Sequence, residues 1–233
     1  MQLIPAPGSQ EMRDAIGHIY VRRIVDILLQ VIGQDYFRLV ALFLKDHDQR
    51  TSPAFARKLQ ALRSYYERRS NAEGGYLIPP YIDELISTLE ALYGQDQEIV
   101  GFQRGAIVEL LTNKLVSSRC RSGECQNNHR FVDGRYISDQ VDVAVLSDLR
   151  QQIEGYACKI KPIGIMSVDC SNLITLAHKA NEVDYDARVG FICFDNSHAI
   201  RQRVKDRLQD FLMAPPIASY GIDNFQDLRK SPF

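Results

Sequence analysis

The sequence lacks a long hydrophobic run, a strong net charge and a dense set of cysteines. No apolar stretch approaches the roughly 20 residues that cross a bilayer, and Met1 to Met12 lack the charged and then apolar layout of a signal peptide. These absences predict a cytoplasmic protein with no membrane segment. The five cysteines are an odd number in a mid-sized chain, which favours reduced thiols over a disulfide framework.

The sequence also lacks internal repeats and low-complexity tracts, which excludes solenoids and linker-rich architectures. A formal charge of -1 means that any attraction for phosphate must come from local clusters of lysine and arginine. The hydrophobic fraction of 45% and the charged fraction of 24% are typical of a globular protein. For 233 residues we expect two parts that share an interface, 1–98 and 99–233.

The first part is predicted to be helical, because apolar residues recur at steps of three and four. The predicted helices run from Met12 to Val31, from Asp35 to Leu44, from Pro53 to Arg69 and from Tyr81 to Tyr93. The third carries several basic residues that could follow a phosphate backbone. A solvated helix face is the favoured interpretation of those residues.

The second part alternates between helices and strands. We predict helices at Gly105 to Val116, Asn172 to Val183 and Ala199 to Leu212, and strands at Val141 to Leu146, Ile153 to Ile160 and Val189 to Phe194, with one more strand possible between Arg130 and Ile137. A helix that links two strands of one sheet normally makes a right-handed parallel crossover. The fold class is therefore α/β, with a mixed sheet flanked by helices and a helical N-terminal region before it.

Asp142 lies in a predicted strand whose two faces are both apolar. A buried carboxylate without a partner is costly, and a divalent cation is one way to offset that cost. Mg²⁺ prefers one or two protein carboxylates together with water and phosphate oxygens. The alternative is an aspartate at the strand end that bonds to the backbone or to an arginine.

Two lysines and a glutamate could complete a site around Asp142. Lys159 or Lys161 could lie beside it across a hairpin, where an ammonium could orient or deprotonate a water or stabilise developing charge. Alternatively, both lysines mark the solvent-facing exit of their strand. Glu109 interrupts an otherwise apolar helix, so it needs a metal shared with Asp142, or a salt bridge to Arg104 or Lys114.

This order of elements, from Ile99 to Val204, resembles the PD-(D/E)XK nuclease superfamily. By position, Glu109 corresponds to the glutamate of the first helix of the family, Asp142 to its metal-binding aspartate and Lys159 to the lysine of its (D/E)XK element. The resemblance implies hydrolysis of phosphodiester bonds in DNA or RNA with Mg²⁺ or Mn²⁺, in which Asp142 and Glu109 hold the metal. Because restriction-like nucleases often act as dimers, it also implies a possible homodimer or protein complex.

The sequence departs from the family pattern at Ala157, where the family normally has Asp or Glu. Some members supply this carboxylate from the next helix, so Asp169 or Glu182 could replace it, and Glu154 is a weaker substitute on the opposite face of the strand. With such a replacement the chain is expected to be a metal-dependent endonuclease. Without one it would be an inactive relative that binds nucleic acid or scaffolds a complex.

The loop before the first strand contains a second possible metal site. Cys120, Cys125 and His129 are residue types that bind zinc, but a structural site needs four ligands; a fourth from Cys158 is conceivable, although the spacing is not that of the usual paired knuckles. Reduced loop cysteines are the favoured alternative. Basic residues around this loop and after the second strand are candidates for contact with nucleic acid: Arg119, Arg121, Arg130, Arg135 and Lys161.

Overall fold

A computed structural model describes residues 1–7, 10–48, 53–72, 80–134, 136–208 and 215–230. The helices are α1 (Gln10–Gly17), α2 (Ile19–Val31), α3 (Asp35–Asp46), α4 (Pro53–Ala72), α5 (Pro80–Tyr93), α6 (Gln97–Ser117), α7 (Ser167–Asn181) and α8 (Ser197–Arg207). The strands are β1 (Gln2–Pro5), β2 (Cys125–Asp133), β3 (Tyr136–Ile137), β4 (Val141–Ser147), β5 (Gln152–Lys159), β6 (Asp186–Cys193) and β7 (Ile217–Tyr220). No helix among the described residues is long and apolar enough to cross a membrane.

The helices of the N-terminal region form largely where the apolar periodicity predicts them. The expectation of one helix from Met12 to Val31 is wrong, because the helix is interrupted between α1 and α2. At the break, His18 adopts an extended backbone, with φ of -66° and ψ of 139°, and its Nδ1 accepts a hydrogen bond from the backbone N–H of Tyr20 at 3.3 Å. The side chain of His18 therefore satisfies a free donor at the start of α2.

The sheet has seven strands in the order β1-β2-β4-β5-β6-β7, with β3 also paired to β2. The pairs from β1 to β5 are antiparallel, and β5, β6 and β7 run parallel to one another. Helix α7 links β5 to β6, so the predicted parallel crossover and mixed sheet are confirmed. Strands β1 and β7 are not anticipated by the sequence, and residues 209–212 of the predicted last helix lie outside the described residues.

The sheet separates two apolar cores. Tyr156 and Cys158 of β5 face the core shared with the N-terminal helices, whereas Ile153 faces the core built on α7 and α8. This alternation follows the two-residue repeat of a strand. Helix α6 lies between the other N-terminal helices and the sheet, which explains why it is apolar on nearly every side.

The register of β4 and β5 determines which residues lie together. Val143 pairs with Tyr156 and Ser147 pairs with Gln152 in an antiparallel ladder. The start of β4 is therefore next to the end of β5, and we call this the Asp142 end of the sheet. The opposite end, where residues 148–151 turn from β4 into β5, is called the Leu149 end.

Candidate functional site

Asp142 is the second residue of β4 and is half-buried. Its Oδ2 accepts a hydrogen bond from the backbone N–H of Cys158 at 2.7 Å. Burial raises the pKa of Asp142; the Cys158 N–H and the nearby Lys159 oppose that shift, and Asp169 adds to it. The net shift is upward because the effect of burial on the carboxylate exceeds that of the Cys158 N–H and Lys159.

Glu109 approaches the same place from α6 and is only 4% exposed. Its Oε2 accepts a hydrogen bond from the Asn128 side-chain amide at 3.4 Å. Burial, followed by repulsion from Asp142, raises the pKa of Glu109. Arg104, one of its two expected ion-pair partners, instead donates to the carbonyl oxygens of Leu44 and Lys45 at 2.8 and 3.0 Å. The other, Lys114, is exposed on α6.

Cys158 connects the surroundings of the two carboxylates. Its thiol donates to the hydroxyl of Thr112 at 3.7 Å, and Thr112 lies about one turn after Glu109 on α6. The backbone N–H of the same cysteine donates to Asp142. Residues of α6, β4 and β5 therefore meet at the Asp142 end, on the side of the sheet that α6 covers.

Lys159 is the last residue of β5, and its Nζ lies 3.1 Å from Oδ1 of Asp169. Burial lowers the pKa of Lys159, but Asp169 and then Asp142 raise it more, and the net shift is upward. The ammonium is therefore charged at neutral pH. It can orient a group or stabilise negative charge, but it is not suited to deprotonate water.

Asp169 is fixed in the first turn of α7. Its second oxygen, Oδ2, accepts the backbone N–H of Met166 at 2.8 Å while Oδ1 contacts Lys159. Of the three possible substitutes for the carboxylate missing at Ala157, Asp169 is the one that the structure brings to Lys159. Asp169 belongs to the helix after the strand rather than to the strand itself.

The other two possible substitutes lie elsewhere. Glu182 follows the end of α7, roughly 20 Å along the helix axis from Asp169, and its exposed carboxylate pairs with Lys179 at 2.6 Å. Glu154 lies on the opposite face of β5 from Lys159 and is buried. Its two oxygens contact Arg119 at 2.6 and 2.5 Å, and the Tyr156 hydroxyl also donates to it.

The arginines proposed to contact nucleic acid are dispersed. Arg119 is committed to Glu154 and to the carbonyl oxygen of Leu228 at 2.8 Å, and its side chain is only 10% exposed, so it is not available to a phosphate. Arg121 is exposed but lies at the Leu149 end. Its backbone N–H donates to Glu124, and Glu124 also accepts a hydrogen bond from the hydroxyl of Ser147. Arg130 is half-buried on β2, Lys161 is half-buried just after β5, and Arg135 lies outside the described residues.

The zinc candidates are separated along β2. Cys125 pairs with Val145 and His129 pairs with Val141, so their backbones are roughly 13 Å apart. Cys120 and Cys125 both pack against the core shared with the N-terminal helices, and Nδ1 of His129 contacts the carbonyl oxygen of Asn127 at 2.6 Å. Within the described ranges, no three His, Cys, Asp or Glu side chains are arranged to hold a metal ion.

Sequence patterns did not point to Asn128. It has a positive φ of 54°, a conformation that asparagine tolerates better than most residues. Its amide donates to Glu109, and its Oδ1 accepts from the side chain of Gln140 at 2.7 Å. Asn128 therefore orients the Glu109 carboxylate. An asparagine in the middle of a strand is the only signal that could have suggested this role.

Comparison with known proteins adds no relationship. No family model matches the chain, and no curated protein is significantly similar to it.

Proposed function

We propose that the protein is a metal-dependent nuclease of the PD-(D/E)XK type, which hydrolyses phosphodiester bonds in DNA or RNA. The observation that carries the proposal is the arrangement at the Asp142 end of the sheet. There, burial and then Asp142 raise the pKa of Glu109, and Lys159, whose Nζ lies 3.1 Å from Asp169, interacts electrostatically with both carboxylates. These residues come from four elements, α6, β4, β5 and α7.

Glu109 and Asp142 fit a hard divalent cation that completes its coordination with water and phosphate better than a metal ion held by protein ligands alone. Glu109 and Asp142 would hold Mg²⁺ or Mn²⁺, because such a cation needs only one or two carboxylates and takes its other ligands from water and phosphate. The described residues offer no group of three ligands for a metal, so the proposal assigns the remaining ligands to water and the phosphate of the substrate. When bound, the cation would polarise the phosphate and lower the pKa of a bound water.

Lys159 supplies a fixed positive charge. Its ammonium would stabilise the charge that develops on the phosphate oxygens during attack. Asp169 acts as a positioning residue, because it holds the ammonium from one side and is itself held by the N–H of Met166. In this scheme Asp169 compensates for Ala157 by orienting the lysine.

The test is cleavage of plasmid DNA, single-stranded DNA and RNA by the purified protein with Mg²⁺ or Mn²⁺. Wild type should cleave at least one substrate, and Asp142→Asn should reduce the rate by about 100-fold or more. Asp186→Asn is the matched control, because Asp186 is exposed at the start of β6, at the Leu149 end. Cleavage that survives Asp142→Asn would contradict the assignment of the site.

A second candidate function is binding without hydrolysis, as a scaffold or nucleic-acid-binding subunit. Ala157 favours it, because the strand lacks the carboxylate that would complete a third metal ligand. Wild-type protein that binds oligonucleotides but cleaves none of the substrates with either metal would support this candidate. In both cases the five free thiols fit the reducing cytoplasm, and a homodimer or larger complex is part of the proposal.

A further inference from the structure

The loop between β5 and α7, together with the first turn of α7, exposes apolar side chains next to the candidate site. Ile163 is 72% exposed, Met166 is 52% exposed and Val168 is 62% exposed. Nine large hydrophobic side chains are exposed among the described residues, and three of them fall within this short segment. Single exposed hydrophobics are ordinary, but a cluster indicates a binding surface. We call residues Ile163, Met166 and Val168 the apolar tip.

The apolar tip is held in place by its own loop. The backbone N–H groups of Gly164 and Ile165 donate to the carbonyl oxygens of Lys161 and Pro162 at 3.0 and 2.9 Å. The side chain of Ile165 is fully buried and anchors the loop in the core formed with α7 and α8. The exposed side chains are therefore presented by a fixed backbone, which lowers the entropy lost on binding.

The same loop is joined directly to the candidate site. The N–H of Met166 donates to Asp169, whose other oxygen holds Lys159. Gly164 lies against the same lysine, because a Cβ built on this glycine would be 3.9 Å from Cβ and Cδ of Lys159. A ligand that contacts the apolar tip would therefore lie beside the ammonium of Lys159.

Basic side chains lie next to the apolar tip on one side, and Asp169, paired with Lys159, follows Val168 in the chain. Lys161 precedes it in the loop, and Arg203 of α8 donates to the carbonyl oxygen of Ile163 at 3.3 Å. Arg207 follows Arg203 by about one turn on the same side of α8. Apolar side chains framed by lysine and arginine match a ligand that alternates flat apolar surfaces with phosphates, which is the chemistry of a polynucleotide.

We propose that the apolar tip packs against an unstacked nucleobase of the substrate, beside the phosphate that is cleaved. The inference rests on the proposed function, because it takes the ligand of the Asp142 end to be a polynucleotide. Isoleucine and methionine, two of the three residue types of the apolar tip, are among the residues that proteins insert between base steps. The preferred substrate class is then nucleic acid with an accessible base, such as a single strand, a bulge or a mismatch, rather than a continuous duplex.

A second copy of the chain is a weaker occupant of this surface. Each partner of a standard protein interface buries about 800 Å², far more than three side chains provide. The adjoining Lys161 and Arg203 would also meet like charges across a symmetric contact. The size and charge of the surface both favour a nucleobase.

The experiment measures binding separately from cleavage. The protein is titrated into three oligonucleotides of one sequence: a single strand, a duplex with a bulged 2-aminopurine and a matched duplex. Ca²⁺ replaces Mg²⁺ so that binding is measured apart from cleavage. Affinity is followed by fluorescence anisotropy, and the environment of the bulged base by 2-aminopurine fluorescence. The variants are wild type, Ile163→Ala/Val168→Ala and Leu149→Ala. Leu149 is the matched control, because it is 70% exposed but lies in the turn at the opposite end of the sheet.

Wild type and Leu149→Ala should bind the bulged and single-stranded probes more tightly than the matched duplex. The double variant should bind those two probes about tenfold more weakly, with little change on the matched duplex and a smaller change in 2-aminopurine fluorescence. Sedimentation should show the same mass for all three proteins.

Three results would overturn the inference: equal affinity of wild type and the double variant for the bulged probe, an equal loss in Leu149→Ala, or a lower oligomeric state in the double variant. The absence of oligonucleotide binding by wild type would also overturn it. The proposed function is judged separately. Tip-dependent binding without cleavage in Mg²⁺ or Mn²⁺ supports the contact between the apolar tip and a nucleobase and rejects the nuclease. Cleavage without tip dependence supports the nuclease and rejects that contact.

Discussion

Two groups of carboxylates in and around β4 and β5 differ in how their charge is balanced. Glu154 is matched by Arg119, which contacts both of its oxygens, and by the Tyr156 hydroxyl. At the Asp142 end, three carboxylates, those of Glu109, Asp142 and Asp169, lie around one ammonium. Glu154 and Arg119 form a neutral pair. At the Asp142 end, burial is the largest cause of the raised pKa values of Glu109 and Asp142, and a neighbouring carboxylate adds to each shift.

Under the proposed function, the difference separates a structural role from a functional one. A buried carboxylate with a bidentate arginine has all the positive charge it needs, so it stabilises the fold and has no use for a ligand. Buried carboxylates that repel one another raise their own pKa values and are stabilised by an added cation. Burial alone does not identify the site, since Glu154 and Glu109 are equally hidden at 4% exposure.

The largest effect is expected when the balanced pair is broken. Arg119→Met leaves Glu154 buried without its cation, and we expect the free energy of unfolding to fall by about 3–5 kcal/mol. Guanidinium unfolding followed by circular dichroism measures this loss. Arg121→Met, at an exposed neighbour, should change stability little, and Arg119→Met combined with Glu154→Gln should recover much of the loss. If the single and double variants are equally unstable, Arg119 acts through packing instead.

The unbalanced group should make the metal-free protein less stable as the pH rises. The folded pKa of Glu109 lies above its ordinary value of 4.5, so its stabilising contribution is complete below that pH and is lost as the pH rises through the folded pKa. The slope is at most about 1.4 kcal/mol per pH unit for one proton. Unfolding in EDTA at increasing pH measures it, and Mn²⁺ should reduce the loss. A difference between wild type and Glu109→Gln that is constant with pH would contradict the shift.

Removing the carboxylate that pairs with Lys159 tests whether this ion pair positions the ammonium at the Asp142 end. Asp169→Asn frees the ammonium, and we expect kcat for cleavage to fall about tenfold with little change in KM, because the lysine is misplaced only for the transition state. Asp169→Glu should restore part of the rate, and the pKa of Lys159 in Asp169→Asn, measured by NMR, should be lower than in wild type. A change in KM alone would argue against a positioning role.

The smallest change in stability is expected when the repulsion between Glu109 and Asp142 is removed. Glu109→Gln removes one of two neighbouring charges and keeps an acceptor for the Asn128 amide. It should stabilise the metal-free protein by about 1 kcal/mol at pH 8, because the cost of burying the amide offsets most of the relief. The same change should abolish the increase in melting temperature that Mn²⁺ gives to wild type. A loss of stability in EDTA would show that Glu109 is balanced by the fold, as Glu154 is.

The sequence predicts the parts of this site that depend on local pattern. Alternation along β4 identifies Asp142 as a polar residue among apolar ones, and the short turn after it restricts the register with β5, so that Lys159 is expected at the same end. The apolar residues around nearly the whole of α6 likewise mark Glu109 as an exception in the sequence. These inferences need only neighbouring residues and the repeats of strand and helix.

The remaining contacts depend on tertiary structure and could not be inferred from local pattern. Asp169 could not be chosen over Glu182 or Glu154, because the choice depends on where the turn after β5 places the start of α7. The pairing of Glu154 with Arg119 depends on how the end of α6 lies over the sheet. The break at His18 was missed because the apolar repeat continues through it, and only the extended backbone reveals it.

Strand β1 forms one edge of the sheet although it is far in sequence from β2, the strand with which it pairs. Leu3 pairs with Phe131, so helices α1 to α6 form an insertion between two neighbouring strands, and closing this loop of about 125 residues costs more entropy than closing any hairpin in the sheet. We expect β1 to join late, after the β4–β5 hairpin, and to open first in native-state hydrogen exchange. A fragment that begins at residue 99 would lack this strand and leave an unpaired edge on β2.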